Sequence, residues 1–143
     1  MTSNPLTPSQ VFYQSHTITI TYDEEVSLGK AVWQGTLSSQ DFKEALLLCV
    51  HAIEKHNLRF WLADNRRLKG ILKKDQQWMK EHVVPSLVMG SLTKIATLVS
   101  EDVKSAEAVN IIFEGADESG YLLLHDFNSE QEALHWLLQE ESK

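Results

Sequence analysis

Phe60-Trp61-Leu62-Ala63, followed at once by the polar stretch Asp64-Asn65-Arg66-Arg67-Leu68-Lys69-Gly70-Ile71, decides the fold of this chain. The four apolar residues do not alternate with polar ones, so neither face of the segment is set aside for water. Strands of this kind are buried on both faces and belong mostly to parallel sheets covered by helices. Two further runs repeat the pattern, Ile95-Ala96-Thr97-Leu98-Val99 and Tyr121-Leu122-Leu123-Leu124. Between the runs, Asp75 to Met89 and Asp102 to Phe113 have the length and periodicity of connecting helices. Pro85, inside the first of these, predicts a kink or an end, because proline donates no amide hydrogen and crowds the preceding turn.

Upstream the period changes. Ile18, Ile20 and Tyr22 alternate with Thr17, Thr19 and Thr21, the pattern of a strand with one covered face. Asp23-Glu24-Glu25 supplies a charged turn and Val26 to Trp33 a second strand, which predicts an antiparallel hairpin closed by Gly35. Ser38-Ser39-Gln40-Asp41 places a carboxylate three residues after a hydroxyl, the reciprocal cap of a helix start. Phe42, Ala45, Leu46, Cys49, Val50 and Ile53 then form one apolar stripe, and Asn57 ends the helix. Ser129-Glu130-Gln131-Glu132 is a second capping box, opening a helix with Ala133, Leu134 and Leu137 on its inner face. The expected fold class is therefore α/β: a mixed sheet of about five strands, an antiparallel hairpin and then parallel strands, with about four helices in the order ββαβαβαβα.

The chain has 143 residues, 43% apolar and 23% charged, the range of one ordinary domain. Met1 to Gln10 carry no charged side chain and read as a flexible arm; residues 11–143 form the single domain. A domain of this size buries about 70% of the surface its unfolded chain exposes and needs no disulfide or metal to hold a core. The single cysteine, Cys49, cannot pair within the chain and suits a reducing cytoplasm. No secretory signal or membrane-spanning run is recognisable, so a cytoplasmic location without membrane insertion is expected. A net charge of -7 argues against nucleic acid as the main partner.

The element order, Leu62-Ala63-Asp64 closing the central strand, and Asp126-Phe127 followed by Glu132-Ala133-Leu134-His135-Trp136-Leu137 together resemble the STAS-like domains, in particular the SpoIIAA-like branch of the bacterial anti-sigma factor antagonist superfamily. The resemblance spans about residues 11–140, and its one distinctive string is the Phe-x-x-x-x-Glu-Ala-x-x-Trp-Leu ending. It implies a mixed sheet with helices mainly on one face, similar to the lipid-holding CRAL-TRIO domains. The activity it implies is non-enzymatic: regulation by binding a protein partner, or holding a small apolar ligand. Members that act as phosphorylation switches carry a hydroxyl residue at the start of the helix after the central strand. Here no serine or threonine occurs from Asn57 to Pro85, so no phosphoswitch is expected at this loop.

Arg66, Arg67, Lys69, Lys73 and Lys74 place five of the thirteen basic residues within nine positions, just after the central strand. Open parallel sheets bind ligands at that end. The cluster has three readings: solvated charges balancing an acidic protein, a surface for an acidic protein partner, or a clamp for a small anion. Residues 64–81 carry six basic and three acidic side chains, whereas residues 101–143 carry two basic and eleven acidic, so the chain is polarised along its length. The candidate binding residues are Asp64, Arg66, Arg67, Lys69, Trp78 and His125.

No catalytic residue, metal site or cofactor motif is expected. The six histidines never fall at spacings that aim a pair at one metal, and no phosphate loop, dinucleotide fingerprint or nucleophile elbow occurs. Cys49 lies on an apolar stripe and reads as packing. Val83, Val84, Leu87, Val88 and Met89 make helix 75–89 apolar on more than one side, which calls for a cover beyond its own sheet. A second copy of the chain is one such cover, giving a homodimer. A small hydrophobic ligand lying under the helix as a lid is the alternative.

Overall fold

The alternation and the unbroken runs produce one six-stranded sheet whose strands lie side by side in chain order. The computed structural model describes residues 10–139. The strands are β1 (Gln10–Gln14), β2 (Ile18–Asp23), β3 (Leu28–Gly35), β4 (Phe60–Leu68), β5 (Lys94–Leu98) and β6 (Leu123–Phe127). β1, β2 and β3 pair antiparallel, and β3 to β6 are parallel. The helices are α1 (Ser39–His56), α2 (Lys73–His82), α3 (Val84–Met89), α4 (Val103–Ile112) and α5 (Glu130–Leu138), with a 3-10 turn over Ala116–Ser119.

The mixed α/β architecture follows the sequence expectation, with differences of physical origin. A sixth strand, β1, precedes the expected hairpin. Its run Val11-Phe12-Tyr13 is too short to show a period, and a bulge at Phe12 breaks its pairing with β2. The expected arm, Met1 to Gln10, overlaps this strand at Gln10, and residues 1–9 of it lie outside the described residues. The third apolar run is shifted: the strand is 123–127, not 121–124. Leu122 is buried in the core just before it, and β6 is an edge strand with several exposed side chains rather than one covered on both faces.

The expected helix 75–89 is two helices. α2 ends at His82, and α3 begins with Pro85 in its first turn, where the missing amide hydrogen costs nothing. Val83, Val84 and Leu87 are buried in the chain's own core, and Met89 alone of the five apolar residues projects into water, 87% exposed. The split rotates one apolar face relative to the other, so the core covers both. The expectation that this segment needs an external cover is thereby corrected.

A right-handed β-α-β connection repeated in one direction along a sheet places each crossover helix on the same face. Accordingly α1 to α4 share one layer, with Phe42, Leu46, Ile53, Met79, Leu87 and Ile112 packed on Ile20, Trp33, Trp61 and Ile95. Among the described residues only α5 reaches the other face, where Ala133, Leu134 and Leu137 cover Leu28, Leu62, Ala96 and Leu98. Caps hold the helix starts: the Asp41 amide donates to Ser38 Oγ at 3.1 Å, and the Ser105 amide to Asp102 Oδ2 at 3.1 Å. Asn57 closes α1 in the left-handed conformation, φ 53°. Among the described residues no helix is long and apolar enough to cross a membrane.

Gly29 seats the central tryptophan. It lies opposite Trp61 in the β3–β4 ladder, and a Cβ there would come within 2.8 Å of Leu58 Cδ1 and nearer still to the Trp61 ring. Gly29→Ala is therefore expected to destabilise the protein by about 1–3 kcal/mol through overpacking. Urea unfolding checks this, and an unchanged midpoint would mean that the ring relocates freely.

Candidate functional site

β4 runs on through Leu68, so Asp64 to Leu68 are strand and not loop as expected. The change decides where the charges go. Asp64 and Arg66, two apart, share the face covered by α5. Arg66 donates to both Asp64 oxygens, Nε to Oδ1 at 2.9 Å and Nη2 to Oδ2 at 2.8 Å. Glu130, in the first turn of α5, lies 3.7 Å from the same Nη2 and receives Lys30 Nζ at 2.7 Å. Burial pushes the Asp64 carboxyl up, but the hydrogen bonds and charge of Arg66, aided by Lys30, outweigh it and hold the group below the usual carboxylate range.

Arg66 is thus already committed to carboxylates of its own chain. Lys69 follows the strand, its amide donating to Gly35 O at 2.9 Å, with its charge near Asp102. Asp102 accepts from the Ser105 hydroxyl at 2.6 Å, and that bond above all, helped by the Ser105 amide and by Lys104 and Lys69, holds its carboxyl below the usual range against the opposing effect of desolvation. Arg67, Lys69, Lys73 and Lys74 remain exposed. The structure gives the first reading of the basic cluster, internal balance, a direct basis at Arg66.

The remaining expected site residues lie elsewhere. Trp78 is on α2 in the opposite layer, half-buried, with Lys43 Nζ 5.4 Å above its ring. His125 is within β6, stacked on Phe127 at 4.5 Å and near Trp136 at 5.6 Å. The six residues therefore do not converge on one point: Asp64 and Arg66 meet, and the others do not join them.

Convergence occurs instead beneath α4. An apolar cavity of about 70 Å³ lies between the four-helix layer and the sheet, with Trp33, Trp61 and Ile95 on the sheet side and Met79, Val83 and Leu87 on the helix side. Cys49 is in its wall, where burial pushes the thiol far up and leaves it a packing group. Thr97, Val109 and Phe113 line both this cavity and an open groove of about 420 Å³ between α4 and β6. The groove carries Asn110, Glu114, Asp117, His125 and Asp126. A small recess of about 20 Å³ at the same place is lined by Asn65, Thr97, Asn110 and Asp126. Asn65, which also lines the apolar cavity, is only 6% exposed, yet its side-chain amide makes no hydrogen bond among the described residues. The sequence singles out Asp126 only through its neighbours His125 and Phe127 and carries no signal for Asn65, Thr97 or Asn110. The observed strand register sets Thr97 beside Asp126 at the carboxyl ends of neighbouring strands.

Among the described residues no three His, Cys, Asp or Glu side chains are placed to hold a metal ion. Comparison with protein-family models, with curated proteins and with solved structures finds no match to this chain.

The Asp64–Arg66 pair makes a prediction with a definite sign. Arg66→Ala leaves a buried carboxylate without its charged donor and is expected to cost about 1–3 kcal/mol at neutral pH. The folded Asp64 titrates below its unfolded value of roughly 3.9, so its stabilisation is complete above that value and is lost as pH falls through the folded one. The gap between wild type and Arg66→Ala in thermal melts should close in acid. A gap that persists unchanged in strong acid would show that Arg66 acts through packing alone.

Proposed function

We propose that the chain is a non-enzymatic, cytoplasmic STAS-like domain with a regulatory or protein-interaction role, and that its partner includes a second copy of itself. The element order, the four helices on one face and the Glu-Ala-x-x-Trp-Leu helix on the other support the STAS-like reading. The missing hydroxyls from Asn57 to Pro85 set it apart from the phosphorylated members.

The observation that carries self-association is edge strand β1. Its sequence, Gln10-Val11-Phe12-Tyr13-Gln14, contains neither charge nor proline, the usual devices that keep an open edge from pairing. Val11 and Tyr13 are 59% and 40% exposed. The segment is close to a palindrome in chemical type. In an antiparallel pair centred on Phe12, Val11 faces Tyr13 of the second copy and glutamine faces glutamine, which is the self-complementarity a two-fold interface demands. The bulge at Phe12 is the only protection this edge retains among the described residues. β1 thus replaces helix 75–89 as the proposed dimer contact.

A second reading, a carrier or sensor of a small apolar ligand, is supported by the cavity under α2 and α3. Its volume of about 70 Å³ suits a short alkyl group. A drug-sized or lipid ligand needs roughly 300 Å³ or more, so that reading requires α3 to move outward on binding.

Light scattering on the full chain tests self-association, with a dimer expected for the wild type. Val11→Lys sets a charge on the edge and is expected to weaken the dimer at least about tenfold, equivalent to roughly 1.4 kcal/mol, with the circular dichroism unchanged. A strictly monomeric wild type would overturn self-association, and an undiminished Val11→Lys dimer would overturn the edge assignment.

A further inference from the structure

The cleft beneath α4 combines features that nothing in the regulatory reading uses. Its inner end is apolar and sized for a short alkyl group, about half the roughly 150 Å³ of a dry cavity that accepts benzene. Its outer end is the groove in which Glu114, Asp117 and Asp126 supply three carboxylates, with no lysine or arginine on the wall. Basic side chains that could have balanced them are spent elsewhere: Lys30 and Arg66 are bound to Glu130 and Asp64 on the opposite face of the sheet. Between the two ends sits Asn65, 94% buried by its 6% exposure, its amide unpartnered and lining both the cavity and the recess. Among the described residues no side-chain polar atom sealed from solvent lacks a partner, so the Asn65 amide opens onto the recess, where water or an incoming group bonds to it.

These features select a chemistry. An anion would meet three carboxylates, and a neutral alcohol would leave them unused. A wholly apolar ligand would desolvate Asn65 and Thr97 without return. An ammonium or guanidinium group on a short aliphatic stem meets each requirement: the stem enters toward Trp61 and Ile95, and N–H groups donate to Asn65 Oδ1 and to the carboxylates outside. Phe113, the residue that ends α4, lies on the wall shared by cavity and groove, at the point where the stem would pass. We propose that the cleft between α4, β5 and β6 is a binding site for a small aliphatic amine or guanidine, with Asn65 and Asp126 as its principal polar contacts. The proposal is independent of self-association, since no residue of β1 lines the cleft.

The test is titration of the full chain with n-butylamine, n-butanol and butyrate, followed by amide nuclear magnetic resonance. Butylammonium should bind saturably and shift the side-chain amide signals of Asn65 and Asn110, at least about tenfold more tightly than butanol, as loss of a charge-assisted hydrogen bond implies. Butyrate should not bind. Asp126→Asn, an exposed substitution that leaves the fold intact, should weaken butylammonium binding by about tenfold and leave butanol unaffected. Asn65→Ala should weaken it as well. The proposal fails if butylamine and butanol bind equally, if Asp126→Asn changes nothing, or if no ligand moves the two amide signals.

Discussion

The structure depends on one constraint: strands β3 to β6 follow one another in chain order, all parallel, and each right-handed crossover returns its helix to the same side. That side receives α1 to α4 and a deep core. The other face of the same strands carries Leu28, Leu62, Ala96 and Leu98 and has only α5 to cover it. A nine-residue helix is easily lost, since isolated helices of that length are marginal in water. Two lysines of the sheet hold it. Lys30 binds Glu130 in its first turn, and Lys94, 4% exposed, donates to Trp136 O in its last turn at 2.9 Å. The second contact satisfies a carbonyl that the helix end leaves without a partner and sets a positive charge at the negative end of the helix dipole. The rings of Phe60 and Trp136 flank that ammonium group and replace part of its lost hydration.

The same constraint explains both open features. A sheet built by sequential addition ends in two edge strands, unpaired on their outer side among the described residues. β1 lies at one edge with an uncharged sequence, and β6 lies at the other with five residues of mixed exposure. Because α4 is the last crossover helix, the sheet extends past it by one strand, and the groove between α4 and β6 is the consequence. The loop from Phe113 to Gly120 descends there with Glu114 and Asp117, so the acidic character of the C-terminal third becomes local and directional. Polarisation that is visible in sequence as a count becomes a groove of one sign.

Legibility in the sequence followed the strength of local signals. Ser38, Asn57, Asp102 and Ser129 mark helix ends because short side chains satisfy orphan backbone groups within a few residues, and the structure places a cap at each. The runs at 60–63 and 95–99 read correctly because strands β4 and β5 are covered on both faces. Residues 121–124 misled, since Leu122 is apolar for the helix-side core and not for a strand. β1 was invisible because three apolar residues carry no period. Asp64 to Leu68 looked like a loop because polar residues end an apolar run, yet here Asp64 and Arg66 neutralise each other inside the sheet. The break at Val83 was signalled by Pro85, but burial of both resulting faces follows from tertiary packing that no local pattern contains.

Asp64, Asn65 and Arg66 condense the difference between charge in a sequence and charge in a site. Read along the chain, the two arginines and following lysines form a basic cluster suited to an anion. In the sheet, Asp64 and Arg66 turn to the α5 side and close on each other and on Glu130, which removes the guanidinium from use as a clamp. Asn65, between them, turns to the other side and enters the cleft without a partner. The pleat thus separates a saturated charged pair from an amide that faces the recess by one residue. The amide opens onto the recess with its hydrogen-bonding capacity left for water or a ligand, so it and not the basic cluster is where this stretch can receive one. The carboxylates of Asp126, Glu114 and Asp117 beyond it then fix the sign of what can enter.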